Sequence, residues 1–276
     1  MIEVRWGSAS HQGRVRERNE DALLAGPDVF AVADGMGGHA GGDVASAIAV
    51  AGLAELRDLA ATDEPAEALG HALSRVNAEI RRRASVDPAL AGMGTTVVGI
   101  ARVAGPRVLV FHVGDSRAYR LRDGRLEQLT EDHSVVADLV RAGALSAEEA
   151  RRHPDRNTVT RALGAADDVV PTLRTEVVRT GDCFLVASDG LFDELPASQI
   201  GDLLATVGPV EKRARALVDA ALARGARDNV SVIVVVVSGT HADDGMEDDT
   251  APSAFAGGVA SPPVPAGRTS TPGDPV

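Results

Sequence analysis

Val29-Phe30-Ala31-Val32-Ala33-Asp34-Gly35-Met36-Gly37-Gly38 is an apolar run that ends in an acid and a glycine-rich turn. A short apolar run of this kind predicts a buried strand that delivers a carboxylate to the end of a sheet. The Gly35 carbonyl can face a cation held by Asp34, because glycine has no Cβ to obstruct the turn. Taken alone, the segment is equally compatible with a strand-to-helix turn whose acid caps the helix.

Three further acids lie beside glycine or asparagine at the edges of apolar runs. Asp115 and Asp189 each follow such a run, and Asp228 comes just before one that starts at Val230. Each could be a simple turn, but together with Asp34 they predict carboxylates that converge on one point. Gathered carboxylates repel one another, and burying them is costly unless a cation neutralises them. A ligand set made only of oxygens favours magnesium or manganese over zinc.

The charged run Arg16-Glu17-Arg18-Asn19-Glu20-Asp21 precedes the next apolar segment. Arg16 could bind a phosphate through two parallel N–H donors. The carboxylates of Glu20 and Asp21 could hold water molecules on a metal ion. Taken alone, a solvated charged loop is the simpler interpretation of this run.

Composition separates a dense domain from a polar tail. The chain has 276 residues, 44% of them hydrophobic, a net charge of −12 and one cysteine. The negative charge argues against nonspecific nucleic-acid binding. We expect one domain over residues 1–238 and a disordered tail rich in Pro, Gly, Ser, Thr and Asp over residues 239–276. The apolar stretches Val44–Leu56 and Val230–Val237 are too short to span a membrane, and no signal peptide is evident, so we expect a cytoplasmic protein.

Hydrophobic periodicity predicts blocks of strands separated by pairs of helices. The predicted strands are Ile2–Ser8, Ala22–Ala33, Thr95–Val103, Arg107–Val113, Ala118–Arg122, Arg125–Leu129, Thr172–Arg179, Asp182–Ser188 and Val230–Val237. The predicted helices cover residues 41–60, 65–83, 134–142, 146–152, 197–206 and 209–224. Consecutive strands do not suit alternating βαβ units, so the pattern predicts antiparallel sheets with helices packed outside, an α+β fold.

Seven segments in one order carry a resemblance to a known family. They are Gly13-x-x-Arg16-x-x-Asn19-Glu20-Asp21, Ala33-Asp34-Gly35-Met36-Gly37-Gly38, Gly92-Met93-Gly94-Thr95-Thr96, Val113-Gly114-Asp115-Ser116-Arg117, Thr160-Arg161-Ala162-Leu163-Gly164, Ala187-Ser188-Asp189-Gly190-Leu191 and Asp228-Asn229-Val230. Together they resemble the bacterial form of the metal-dependent serine/threonine protein phosphatases of type 2C. The resemblance implies a four-layer α-β-β-α sandwich of two antiparallel sheets flanked by helix pairs.

The resemblance also implies two core Mn²⁺ or Mg²⁺ ions bridged by Asp34. One ion would be held by Asp189 and Asp228. The other would take the Gly35 carbonyl, and its water molecules would be supported by Glu20 and Asp21. A third, weaker ion would be bound by Asp115 and Asp189, with the backbone carbonyl of Asn157 as a further ligand.

The implied reaction is hydrolysis of phosphoserine and phosphothreonine monoesters. Two cations make hydroxide available from a bridging water near neutral pH, and the hydroxide attacks phosphorus in line. Arg16 would balance charge on the phosphate oxygens. The general acid stays open: some family members have a histidine directly after the Asp-Gly pair, where this chain has Met36. His39, His133 and His153 are the other candidates, alongside a metal-bound water.

Residues 143–164 correspond to a mobile flap in the family, or else form a plain connector. The implied partners are phosphorylated proteins and the Ser/Thr kinases that the enzyme opposes, and we expect a monomer. Two other functions are compatible with the fold. One is a noncatalytic module that binds phosphoproteins, and the other is a regulatory phosphatase for anti-sigma antagonist proteins.

Overall fold

The computed structural model describes residues 2–37, 41–56 and 58–240. Their strands form two sheets in which every neighbouring pair is antiparallel. The first sheet has the order β1-β11-β10-β7-β8 and the second β2-β3-β5-β6-β9, with β4 paired to β3. The strands are β1 (Ile2–His11), β2 (Asp21–Ala25), β3 (Val29–Met36), β4 (Gly94–Thr95), β5 (Val97–Val103), β6 (Arg107–Val113), β7 (Arg117–Arg122), β8 (Arg125–Gln128), β9 (Thr172–Val177), β10 (Cys183–Ala187) and β11 (Val230–Thr240).

The helices are α1 (Gly42–Ala54), α2 (Pro65–Val86), α3 (Val135–Arg141), α4 (Ala147–Ala150), α5 (Asp189–Phe192), α6 (Ala197–Ala205) and α7 (Val210–Ala223). A short 3₁₀ turn covers Pro88–Leu90. Helix α2 begins at Pro65. Proline has no backbone N–H, and this costs nothing in the first turn of a helix because an N–H there would have no partner within the helix. No helix within the described ranges is both long enough and apolar enough to cross a membrane.

Strand alternation builds a core on each side of the sheets. In β3, Ala31 and Ala33 face helices α1 and α2 in one apolar cluster. Phe30 and Val32, one position out of phase, belong to a second cluster between the two sheets. A third cluster packs helices α6 and α7 against the outer face of the first sheet. This side-chain period of two produces four layers, α-β-β-α, and confirms the predicted fold class.

Most element predictions agree with the structure to within a few residues, but two were wrong, and helix α5 (Asp189–Phe192) was not predicted. The segment predicted as one strand, Ala22–Ala33, is two strands, because a turn over Gly26-Pro27-Asp28 reverses the chain and the Gly26 N–H bonds to the Val29 carbonyl at 3.0 Å. The helix predicted to reach residue 60 ends at Ala54. Strand β11 continues to Thr240, three residues past its predicted end at Val237. Residues 241–276, most of the predicted tail, lie outside the described residues.

Candidate active site

Strand ends and loops from both sheets meet at one open cleft of about 860 Å³. Asp34 comes from β3 of the second sheet, and Asp115 from the connection between the sheets. Asp189 follows β10 of the first sheet, and Asp228 precedes β11. The cleft is lined mainly by polar residues that the sequence analysis singled out: Arg16, Glu20, Asp34, Gly35, Asp115, Asn157, Asp189 and Asp228.

Asp34 and Asp21 lie opposite each other in the β2–β3 hairpin. The carbonyl of Asp34 accepts hydrogen bonds from the Thr95 hydroxyl and the Thr96 N–H, both at 2.9 Å. The hydroxyl of Ser188 donates to Oδ2 of Asp21 at 2.8 Å. The strand pairing therefore holds two carboxylates side by side, and Asp21 lies behind the cleft lining.

Gly35 is packed against the beginning of helix α1. Its N–H donates to the Glu20 carbonyl at 3.2 Å, and a Cβ at this position would lie 2.2 Å from the Gly42 carbonyl oxygen. Only glycine allows the strand to approach the helix this closely. The carboxylate of Glu20 lies against Gly42 in the first turn of α1, where the partial positive charge of a helix N-terminus favours an anion.

His133 holds the loop that carries Asp115 through a hydrogen bond. The Gly114 N–H donates to Nδ1 of His133 at 3.1 Å, and Nε2 of His133 contacts the Thr172 hydroxyl at 3.0 Å. His133 also stacks on His112, with 4.4 Å between ring centroids. Burial, followed by the charge on His112, lowers the pKa of His133 to about 4. His133 is therefore neutral at pH 7 and lies outside the cleft lining, which favours a structural role over that of general acid.

The other histidine candidates are separate from the cleft or undescribed. His153 lines a shallow depression beside α4. His39 lies outside the described residues. The general acid stays unassigned.

Burial and mutual repulsion raise the pKa values of the clustered carboxylates. Burial, followed by repulsion from Asp21 and Asp189, raises the pKa of Asp34 well above its usual range. Burial, followed by repulsion from Asp115, does the same for the pKa of Asp189. Burial is the first cause for Asp115 and Asp21 as well, and raises the pKa of each to about 6. Ionising these carboxyl groups therefore costs free energy, and a bound cation would offset that cost.

Unpaired oxygens give an independent test of whether the site suits a divalent ion. Oδ1 of Asp189 and Oδ1 of Asp21 are buried and have no hydrogen-bond donor. Buried carboxylate oxygens normally have a partner, and oxygen donors are the ligands of magnesium and manganese. The donor set therefore fits these ions.

The carboxylates do not by themselves form a closed cage. Within the described ranges, no three His, Cys, Asp or Glu side chains are grouped tightly enough to hold one ion. Asp228 instead accepts a hydrogen bond at 2.7 Å from Nη2 of Arg16. The assignment of one ion to Asp34, Asp189 and Asp228 together stays a prediction.

Arg16 projects into the cleft from the loop after β1. Its side chain is 54% exposed and that of Asp228 is 34% exposed, so the ion pair between them is open to water. The hydrogen bond to Asp228, larger than the opposing effect of burial, raises the pKa of Arg16. A solvent-accessible ion pair contributes little to stability, and the guanidinium can therefore exchange this partner for a phosphate at low cost.

Asn157 lies in the flap-like segment, residues 143–164, and is exposed at the cleft. The segment is tied down nearby, because the Val135 N–H donates to the Thr158 carbonyl at 2.9 Å and the Thr160 N–H to the His133 carbonyl at 2.8 Å. Further out it contains α4, whose Ser146 and Glu149 form a reciprocal capping box. The role of Asn157 as a carbonyl ligand stays a prediction.

Three residues at the site were assigned no role in the sequence analysis. Thr96 lines the cleft and bonds to the Ser116 hydroxyl at 2.8 Å. Asp193 adds negative charge near Asp115 and Asp189. Its position four residues after Asp189, one helical turn away, was an available signal. Asn229 is buried beneath the loop of Arg16, a contact that sequence spacing alone does not reveal.

The model of the family described as protein phosphatase 2C matches residues 9–225. The chain belongs to the protein phosphatase 2C family. Among the protein phosphatase 2C relatives, it is 42% identical over 241 residues to the serine/threonine protein phosphatase PstP of Mycobacterium tuberculosis. That match covers 85% of this chain and 45% of PstP, so the chain spans about half the length of this relative. It is also 38% identical over 233 residues to the serine/threonine phosphatase stp of Listeria welshimeri, covering 81% of this chain and 92% of stp.

Solved structures of this protein phosphatase 2C family share the fold. A crystal structure of the Mycobacterium tuberculosis serine/threonine phosphatase PstP/Ppp superposes with a TM-score of 0.82 at 40% identity, over 87% of this chain and 100% of that one. The catalytic domain of PstP in complex with two manganese ions gives a TM-score of 0.77 at 39% identity, with the same two coverages. A relative with this fold thus holds two manganese ions.

Proposed function

We propose that this chain is a metal-dependent protein phosphatase that hydrolyses phosphoserine and phosphothreonine monoesters. The observation that carries the proposal is the convergence of Asp34, Asp115, Asp189 and Asp228 on one open cleft, with Arg16 at its rim. Family membership and the named activity of the relatives support it.

Two manganese or magnesium ions would be held by Asp34, the Gly35 carbonyl, Asp189 and Asp228, with Glu20 and Asp21 behind them. A third ion would be bound at Asp115 and Asp189, with the Asn157 carbonyl as a further ligand. Bound divalent ions would supply a nucleophilic oxygen near neutral pH and neutralise charge on the phosphate. The raised pKa values of Asp34 and Asp189 favour this use, because a cation offsets the repulsion that causes them.

Arg16 binds the substrate. Its guanidinium leaves Asp228 and donates two N–H groups to the phosphate oxygens, which fixes the phosphate over the carboxylate cluster. The cleft is open, which suits a phosphorylated side chain on a protein surface better than a small enclosed metabolite. We propose phosphorylated proteins as substrates and opposition to Ser/Thr kinases as the biological role, in a cytoplasmic monomer.

The direct test is release of phosphate from a phosphothreonine peptide, with and without Mn²⁺. We expect manganese-dependent turnover that Asp34→Ala lowers by at least about 1,000-fold, since the bridging carboxylate is lost. Asp219→Ala is the matched control, because Asp219 is an exposed acid on α7 outside the cleft. Absence of turnover at saturating manganese would refute the proposal, and tight peptide binding without turnover would favour a noncatalytic binding module.

A further inference from the structure

The loop that carries Arg16 joins β1 to β2 and covers residues 12–20; it is called here the arginine loop. It contains turns and bends but no helix or strand. Arg16 itself contacts Asp228 through a solvent-exposed ion pair, which is too weak to fix the loop. The position of its guanidinium therefore depends on how the main chain of the loop is held.

One buried side chain holds both ends of the arginine loop. Nδ2 of Asn229 donates to the Gln12 carbonyl at 2.9 Å and to the Arg18 carbonyl at 2.8 Å. Oδ1 of Asn229 accepts from the Glu20 N–H at 2.8 Å. Asn229 is only 5% exposed. Both N–H donors of the amide and its carbonyl oxygen are thus engaged with loop backbone groups that would otherwise lack these partners.

Additional contacts hold the loop against the end of α7 and the segment that precedes β11. The Arg14 N–H donates to the Ala226 carbonyl, and Nε of Arg14 donates to the Leu222 carbonyl, both at 2.8 Å. Gly13 has φ +79° and passes so close to Asp228 that a Cβ would lie 2.2 Å from the Asp228 carbonyl oxygen. The loop therefore packs directly against the residues before β11 that place Asp228 in the cleft.

We infer that Asn229 is a positioning residue for phosphate binding, which acts by holding the arginine loop so that Arg16 faces the carboxylate cluster. This inference rests on the proposed function of Arg16. Loss of the Asn229 amide would release the loop at Gln12, Arg18 and Glu20. Binding phosphate would then require the loop to be ordered again, which weakens substrate binding more than it slows the chemical step.

The test is a double-mutant cycle between Asn229→Ala and Arg16→Ala in the manganese-loaded protein. We expect each single variant to raise both the KM for a phosphothreonine peptide and the inhibition constant of inorganic phosphate about tenfold. We expect kcat to change less than these constants do. In the Arg16→Ala background, Asn229→Ala should change KM by less than about twofold, because the residue through which it acts is already gone.

Asn77 provides a matched control for the stability cost. It is 1% exposed, and its amide likewise makes three hydrogen bonds to backbone groups, in residues 164–167. Asn77→Ala should therefore lower the free energy of unfolding about as much as Asn229→Ala but leave the phosphate inhibition constant unchanged. Should Asn229→Ala fail to fold, Arg14→Ala removes one fastening of the loop and should raise KM by a smaller factor that also vanishes beside Arg16→Ala.

The two levels of failure can be told apart. If Arg16→Ala leaves both constants unchanged, Arg16 does not bind phosphate, and the inference falls with that part of the proposed function. If Arg16→Ala weakens phosphate binding but Asn229→Ala has no effect, or multiplies it independently in the double variant, the proposed function stands and the positioning role of Asn229 is refuted.

Discussion

Replacing the buried acid Asp115 by asparagine should stabilise the metal-free protein increasingly as the pH rises. Asp115 is 9% exposed, and burial, followed by repulsion from Asp132, raises its pKa from 3.8 to about 6. A group whose pKa is raised on folding binds more protons in the folded than in the unfolded state between those two values. The free energy of unfolding therefore falls as the pH rises through this interval, and Asp115→Asn removes that loss.

The size of the effect follows from the shift in pKa. A change of about 2 units corresponds to about 3 kcal/mol once Asp115 is fully ionised. At about pH 4.5 the raised pKa of Asp115 already lowers the free energy of unfolding of the wild type by about 1 kcal/mol. The advantage of the variant should therefore grow by about 2 kcal/mol between about pH 4.5 and about pH 7.5. His133 acts in the opposite direction, because burial lowers its pKa to about 4 and its stabilisation grows with pH. It is present in both proteins and cancels in their difference.

The assay is urea unfolding of wild type and Asp115→Asn in the presence of a chelator, at several pH values. Asp219→Asn, at an exposed position on α7 outside the cleft, is the control for replacing an acid by its amide. Saturating Mn²⁺ should shrink or reverse the advantage of Asp115→Asn, because the carboxylate then faces a cation. A difference between Asp115→Asn and wild type that is flat, or that falls with rising pH, would refute the electrostatic reasoning.

Three further variants test the packing around this site and away from it. Gly35→Ala should destabilise the protein and abolish phosphate release, because its Cβ would lie 2.2 Å from the Gly42 carbonyl oxygen; thermal unfolding and activity measure both effects. Gly70→Ala should instead raise the free energy of unfolding by up to about 1 kcal/mol, since Gly70 is in helix α2 with no neighbour within 4 Å of the new Cβ. Asp182→Ala should cost about 3 kcal/mol in urea unfolding, because it leaves Arg122 without its bidentate partner, while the activity per folded molecule should not change.

Local sequence patterns were sufficient to predict antiparallel sheets with helices packed outside, and the family resemblance supplied the four-layer arrangement. In β3, Ala31 and Ala33 face the helices and Phe30 faces the other sheet. This alternation follows directly from the period of two in a strand. The one strand predicted over Ala22–Ala33 was wrong because its apolar residues hid the turn at Pro27, which cannot donate to a sheet ladder. A proline in a turn therefore decides the local backbone structure even when its neighbours are hydrophobic.

The convergence of the acids on one cleft was predictable from the sequence, but their contacts were not. Acids at strand ends indicated a shared cleft, because the ends of neighbouring strands meet at one edge of a sheet. Nothing local indicated that Arg16 would pair with Asp228, or that the Asn229 amide would reach three points of the arginine loop. Such contacts join residues more than 200 positions apart, and they depend on the pairing of β1 with β11, which places His11 opposite Val230.

The apolar layer between the sheets has a consequence for how this cleft can change. Asp34 is anchored in one sheet while Asp189 and Asp228 are anchored beside the other, so the thickness of that layer sets the gap across which their oxygens must cooperate. Side chains such as Phe30 and Phe184 act as spacers of fixed size. Swapping a spacer for a slightly larger or smaller one would retune the spacing of the acids from inside the molecule, without touching any residue that meets the substrate.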